Sequence, residues 1–322
     1  MYQETRKQLK TVDISCYNKE LATFQEKLKF RELAASTVKN YLSNLKSILA
    51  WVVMFLASKP ADQISYDDFR KFLEFLTSGD LKPRSVNVYI ATMKQFRYLI
   101  QGEDWNRYEI QFKKYDHNLP NVPSVEQARA ITKGTETLLE KLLIAILLST
   151  GIRISEACAL TFGDIQRDKK LIYIRPGKGR SDRYVPLTDE VLIILEAYCR
   201  EVMKYIRWSY PPIRITRESV IFRFYDYERP ANPNFLRRVF GKVVYRAFAG
   251  KEKFTPHCCR HFFALQVYLQ KKDLILVKEL LGHHSLNATE VYLKLAAAMG
   301  LTQDGYTNPL ALCLNQGEHH AR

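Results

Sequence analysis

The run Leu138–Ser149 (LLEKLLIAILLS) constrains this chain more than any other stretch. It is apolar on nearly every side, and a helix without a polar face is stable only when other elements surround it. It therefore belongs at the centre of a core, with its domain built around it. Thr150 and Gly151 end it, so Arg153 leaves the core at a defined point. An arginine placed there either pairs with Glu156, three positions on, or is aimed at an anion.

A second segment, Thr255 to Leu295, puts His257, Arg260, His283 and Tyr292 at the ends of short elements. His257 and Arg260 precede the apolar run Phe262, Phe263, Leu265, Val267, Tyr268 and Leu269, which reads as a buried helix with the polar pair at its N-terminal entrance. Free backbone N–H groups and a guanidinium suit a phosphate at such a place. Asp273 reads as the N-cap of a helix carrying Leu274, Val277, Leu280 and Leu281. Gly282 is its stop, and His283 is delivered on the turn. Asn287, with Glu290 as capping partner, opens a further short helix that holds Tyr292 in its first two turns.

The rest of the chain divides around these segments. Residues 14–105 read as a small helical domain. Ser36 is the expected N-cap of a long stripe running from Val38 to Val53, Gly79 and Asp80 mark a turn, and Ser85 opens a helix with Val86, Ile90, Met93 and Phe96 inward and Lys94 and Arg97 outward. Regular pattern fades over 106–123, where Asn118, Pro120 and Pro123 mark a linker. Ser124 with Gln127 forms a capping box that starts a second domain over 124–300. Within it Leu171–Arg175 and Arg183–Leu187 alternate as two strands of a β-hairpin with Lys178 at its tip, and Thr188 caps a helix to about Met203. Trp208–Ser219 is an irregular excursion. A helix after Pro230–Asn234 carries Arg237, Arg238, Lys242 and Arg246 opposite Val239, Val243 and Val244, a pattern that fits either a face laid along phosphates or solvated charge. In the tail, 301–322, Asn308 and Pro309 precede the small apolar segment Leu310–Leu314. The fold class is mainly α with a small antiparallel β-sheet.

Lys and Arg outnumber Asp and Glu by 49 to 34, a net charge of +15, and the excess is uneven: 17 against 13 in residues 1–110, but 32 against 21 in 111–322. A field of that sign on the second domain favours a nucleic-acid partner. The six cysteines show no metal-type or C-x-x-C spacing, which points to a reducing, cytoplasmic setting. Apolar runs such as Leu142–Leu148 fall well short of the roughly 20 residues of a membrane helix, and the N-terminal MYQETRKQLK carries no secretory h-region.

H-x-x-R-H at His257–His261, L-G-H at Leu281–His283 and a tyrosine nine residues after that histidine resemble the C-terminal signature of the tyrosine recombinases, the phage-integrase and Xer-like family. The resemblance extends to T-G-x-R-x-x-E (Thr150, Gly151, Arg153, Glu156) and to a G-K-G turn (Gly177, Lys178, Gly179), so it spans about Ser124 to Leu295. It implies a helical core-binding domain over 14–105, without a separate arm-binding domain, with Lys94 and Arg97 as DNA contacts, followed by a catalytic domain with Arg237, Arg238, Lys242 and Arg246 as further contacts.

The resemblance also implies a chemistry. A tyrosine hydroxyl, with a pKa near 10, is only about 0.1% ionised at pH 7 and needs help to attack. By resemblance Tyr292 attacks a DNA phosphodiester to form a 3′-phosphotyrosyl link, Arg153 and Arg260 hold the non-bridging oxygens, Lys178 is general acid, His257 general base and His283 a phosphate hydrogen-bond partner. Glu156 orients its neighbours, His261 is assigned to structure and His284 is left open. Cys258 and Cys259 stand between the histidine and the arginine where bulkier residues are common. No metal and no cofactor are implied. The implied partner is double-stranded DNA with inverted core half-sites, bound by a tetramer with the tail docked either on a neighbouring protomer or on its own domain. The biological setting, whether integration, excision or resolution of a mobile element, stays open. Two other readings remain: a type IB topoisomerase-like nicking-closing enzyme, and a non-catalytic DNA-binding protein using Leu274–Leu295 as a helix-turn-helix.

Overall fold

The computed structural model describes residues 2–79, 81–115, 119–175, 182–206, 214–224 and 229–298. The chain forms two compact units, 1–117 and 118–322.

The first unit is helical: α1 (Tyr2–Gln8), α2 (Asn18–Phe30), α3 (Ala35–Phe55), α4 (Tyr66–Thr77) and α5 (Pro83–Phe96), followed by a π-helical turn over Arg97–Gln101. Its core joins Phe24 and Leu28 of α2, Leu45, Ile48 and Leu49 of α3, Phe69 and Phe72 of α4, and Ile90, Met93 and Phe96 of α5. Leu9 and Ile110 are buried in the same core, so the unit takes in residues on both sides of the expected 14–105. Two helix starts differ from expectation. The backbone at Ala34 already takes φ −59° and ψ 140°, so α3 begins before Ser36, and Pro83, whose ring presets the helical φ, starts α5 ahead of Ser85.

Arg97 is corrected more substantially. It was expected to point outward with Lys94, yet only 7% of it is exposed. Its guanidinium stacks 4.2 Å from the Tyr66 ring centroid and ion-pairs with Glu103. Spacing explains this: Val86, Ile90, Met93 and residue 97 lie on one helical stripe, so geometry carries the side chain inward and charge chemistry finds it a partner there. Lys94, one position further round, is exposed.

The second unit is built around α7 (Leu138–Thr150), whose residues from Leu142 to Thr150 are all buried. Around it lie α6 (Val125–Lys133), α8 (Ile154–Ala159), α9 (Asp189–Ile206), α10 (Pro233–Phe248), α11 (Pro256–Lys271), α12 (Leu274–Leu281) and α13 (Val291–Ala298). The sheet is antiparallel, in the order β1 (Ile165–Gln166), β2 (Leu171–Ile174), β3 (Arg183–Pro186), with Ile172 opposite Val185 and Ile174 opposite Arg183. The expected capping box at Ser124 and Gln127 starts α6, and a second, Thr137 with Glu140, starts α7. Gly151 closes α7 at φ +62°, with the ideal Cβ position 2.4 Å from the Phe263 ring, so only glycine fits the turn. Among the described residues no helix is long and apolar enough to cross a membrane.

On α10, Arg237, Arg238 and Lys242 are exposed while Leu236, Val239, Phe240 and Val243 are buried. Arg246 is exposed as well, and it also has partners within the domain. It donates to the Gly134 carbonyl at 3.0 Å and ion-pairs with Glu136 and Glu140, tying the end of α6 to the start of α7. These partners lie more than a hundred residues upstream, so nothing near Arg246 in sequence announces them. The hairpin tip with Lys178, the first half of the Trp208–Ser219 excursion (208–213) and the tail segment Leu310–Leu314 lie outside the described residues.

Candidate active site

The site grows from two helix C-termini. Gly151 ends α7 and Gly282, at φ +61°, ends α12, leaving carbonyls with partial negative charge at both places. Arg260, in the second turn of α11, uses them: Nη1 donates to Gly151 O at 2.8 Å and Nη2 to Leu281 O at 2.6 Å. The side chain is only 1% exposed. Burial and the neighbouring Arg153 charge push its pKa down to about 9, so it remains a cation at neutral pH. Cys258 lies against its own N-cap, its sulfur 3.3 Å from the Thr255 amide nitrogen, and Cys259 is wholly within the core, where burial raises its thiol pKa.

Arg153 sits at the N-terminus of α8. Glu156 accepts its backbone N–H at 2.8 Å and its Nη1 at 3.0 Å. Arg183 of β3 meets the same carboxylate, at 2.8 Å through Nη2. Burial alone would raise the Glu156 pKa, but hydrogen bonds and charge from Arg183 and Arg153 hold it at about 2. A folded pKa below the ordinary 4.5 means that ionised Glu156 stabilises the fold above about pH 4.5, and this contribution disappears as pH falls towards 2. Glu156→Gln is therefore expected to flatten the acid limb of the stability curve between those values, read from urea midpoints. A limb as steep as the native one would exclude Glu156 as its source.

His283 follows Gly282 and its Nδ1 lies 3.0 Å from Thr289 Oγ1. Burial, then the charges of Arg260 and Arg153, depress its pKa to about 3, so the resting imidazole is neutral. Tyr292 is in the first turn of α13. That helix starts after Thr289, whose carbonyl accepts the Tyr292 N–H at 3.0 Å, and the backbone of Asn287 falls in a separate 3-10 turn (Leu286–Ala288) ahead of it. Tyr292 is 1% exposed, and its hydroxyl lies 3.0 Å from His261 Nδ1. Burial raises the phenol to about 12 against the pull of Arg260 and Arg153, and burial with the His257 and Arg260 charges lowers His261 to about 4. Residues His257 and His261 stand edge to face, ring centroids 4.8 Å apart.

The structure thus brings together Arg153, Glu156, His257, Arg260, His283 and Tyr292. Lys178 lies outside the described residues, and His284 is exposed. Two residues were missed. His261, assigned to structure from sequence, touches the tyrosine hydroxyl. Arg183 is buried against Glu156, and strand alternation was the available signal, since Val185 and Leu187 share its inward parity. Beside the site an open cavity of about 480 Å³ is lined by Arg153, Ser155, Arg237, Gly241, Thr255 and His257. Arg237 of α10 and Arg153 thus share one cavity, whereas Arg246 pairs with Glu136 and Glu140.

A tyrosine gathered with two arginines and three histidines around the ends of buried helices defines the protein class of tyrosine recombinases. The chain belongs to the phage integrase family: the family model, "Phage integrase family", matches residues 124–299, and "Phage integrase, N-terminal SAM-like domain" matches residues 21–107. It is similar to the tyrosine recombinase of Thermosipho africanus, 28% identical over 83% of this chain and 91% of that protein. Two solved structures share the fold. The Tn1549 transposon integrase in complex with transposon right end DNA matches with a TM-score of 0.65 and 18% identity over 87% of this chain and 98% of that one. A lambda integrase tetramer bound to a Holliday junction matches with 0.63 and 17% identity over 85% and 76%.

Proposed function

We propose that this protein is a site-specific recombinase that cuts and rejoins double-stranded DNA through a 3′-phosphotyrosyl intermediate on Tyr292. The observation that carries this reading is the convergence of Arg153, Arg260, His283 and Tyr292, drawn from four separated stretches, into one buried cluster. In the forward step the Tyr292 oxygen bonds to phosphorus while the bond to the 5′-oxygen breaks. The phenolic proton passes to a histidine, and Lys178 supplies a proton to the departing oxygen. The two guanidiniums stabilise charge on the non-bridging oxygens, and His283 adds a hydrogen bond. A 5′-hydroxyl from the partner strand then attacks the phosphotyrosine, reversing the bond changes without an external energy source.

The proton acceptor is the His257–His261 pair. His257 is its exposed member, and His261 is the one in contact with the hydroxyl. In the resting protein transfer is uphill, because burial raises the phenol and lowers the imidazole. A phosphodiester at Arg153 and Arg260 sets the positive charge of the arginines against the forming phosphorane, where it stabilises the developing negative charge.

Exchange between two duplexes breaks four strands, which calls for four protomers on inverted half-sites, and the lambda integrase tetramer of similar fold supports such an assembly. The exposed Arg237, Arg238 and Lys242 of α10 and Lys94 of α5 serve as DNA contacts. Excision or integration of a mobile element is the setting favoured by the likeness to a transposon integrase, and the unpaired Cys158, Cys199, Cys258 and Cys259 fit a reducing cytoplasm. The test is incubation with DNA flanking the protein's own gene, denaturation in SDS, and mapping of the 3′ end. A covalent adduct at one position is expected. Stable DNA binding with no adduct would leave only a binding protein.

A further inference from the structure

Arg183 has no part in the chemistry just described, yet it is 8% exposed and fully engaged at the site's edge. Its Nε donates to the Leu280 carbonyl at 2.8 Å, and its Nη1 and Nη2 reach the two Glu156 carboxylate oxygens at 3.3 and 2.8 Å. A Cβ built on Gly282 would lie 3.1 Å from Arg183 Nη1, so the guanidinium is seated against the very turn that delivers His283. One side chain on β3 therefore touches both the carboxylate that holds Arg153 and the backbone that presents His283.

Charge gives this arrangement a purpose. Glu156 hydrogen-bonds the Arg153 guanidinium, and a carboxylate pairing with Arg153 alone would fix its position while cancelling the charge that a phosphorane needs. With Arg183 on the same carboxylate, the three charged groups sum to a net positive charge. The anchor is kept and the field is restored. We propose that Arg183 is a positioning residue that offsets Glu156, so that Arg153 stays both anchored and electrostatically available to the reacting phosphate. Its action is exerted through Glu156 and the Gly282 turn, not on the substrate.

The inference rests on the recombinase reading, and two readouts keep them apart. The first is single-turnover adduct formation on a nicked duplex carrying the mapped cleavage position. The second needs no DNA: affinity for inorganic orthovanadate, a phosphorane mimic, followed by vanadium NMR. Arg183→Gln is expected to slow adduct formation on the order of tenfold and to weaken vanadate binding similarly, with DNA affinity unchanged. Arg183→Lys, which keeps the charge, should stay within roughly threefold of the native protein in both. The decisive variant is the double substitution Arg183→Gln with Glu156→Gln. Removing the uncompensated carboxylate should recover part of the rate and of the vanadate affinity lost in the single variant. Losses that instead multiply in the double variant, and track its melting temperature, would reduce Arg183 to a structural ion pair. Absence of adduct with native protein would overturn the recombinase reading, while the vanadate series would still decide on Arg183.

Discussion

Tyr292→Phe is expected to bind DNA as the native protein does and to form no SDS-stable adduct, a loss of at least about four orders of magnitude in cleavage, the scale on which removal of an essential nucleophile acts. The ring fills the same space, and the hydroxyl hydrogen-bonds His261 at 3.0 Å, a contact whose loss costs about 1 kcal/mol of stability. A variant that stays folded and bound but is chemically silent separates nucleophile from scaffold. The comparison is made by filter or gel-shift affinity against adduct yield on the same duplex. Undiminished adduct would remove Tyr292 from the mechanism and turn attention to Tyr268, the other tyrosine in the same apolar cluster.

Replacing either arginine is expected to have the next largest effect, and the two substitutions differ in an informative way. Arg153→Ala removes a charge at the edge of the cavity, and losing one preorganised donor to a developing oxyanion typically lowers turnover by about 10²–10³-fold, or roughly 3–4 kcal/mol. Arg260→Ala should lower cleavage at least as much, but it also strips the Gly151 and Leu281 carbonyls of their buried donor, at a further stability cost on the order of 1–3 kcal/mol. Cleavage rates at saturating DNA, read beside melting temperatures, should therefore show Arg153→Ala slowed by that factor with the smaller loss of stability, and Arg260→Ala slowed at least as much with the larger loss. Because the guanidinium pair is expected to carry the phosphorane charge, rates should be equal in EDTA and in magnesium. Cleavage that stops in EDTA and returns with magnesium would contradict that role, as would an Arg153→Ala rate within tenfold of native.

The legible part of this protein was the part specified locally. The apolar helix over 138–149, the capping boxes at Ser124, the N-cap at Asp273, the stop at Gly282 and the strand alternation of 171–174 and 183–186 are each written within a few residues, because backbone capping and side-chain periodicity act over one or two turns. Arg153, His257, Arg260, His283 and Tyr292 were readable through short motifs that resemble those of the tyrosine recombinases. Tertiary structure alone decided the partners. Arg97, read as outward from its charge, is buried against Tyr66 and paired with Glu103, Arg246 meets Gly134 and Glu140 more than a hundred residues away, and His261 became the tyrosine's neighbour only when α13 folded onto α11. Arg183 reached Glu156 across 27 residues and Leu280 across 97. A charged side chain reports that it will find a counter-charge or a hydrogen-bond acceptor, but not where, since long-range pairing is settled by which helix ends and strand faces the folded core brings within about 3 Å of it.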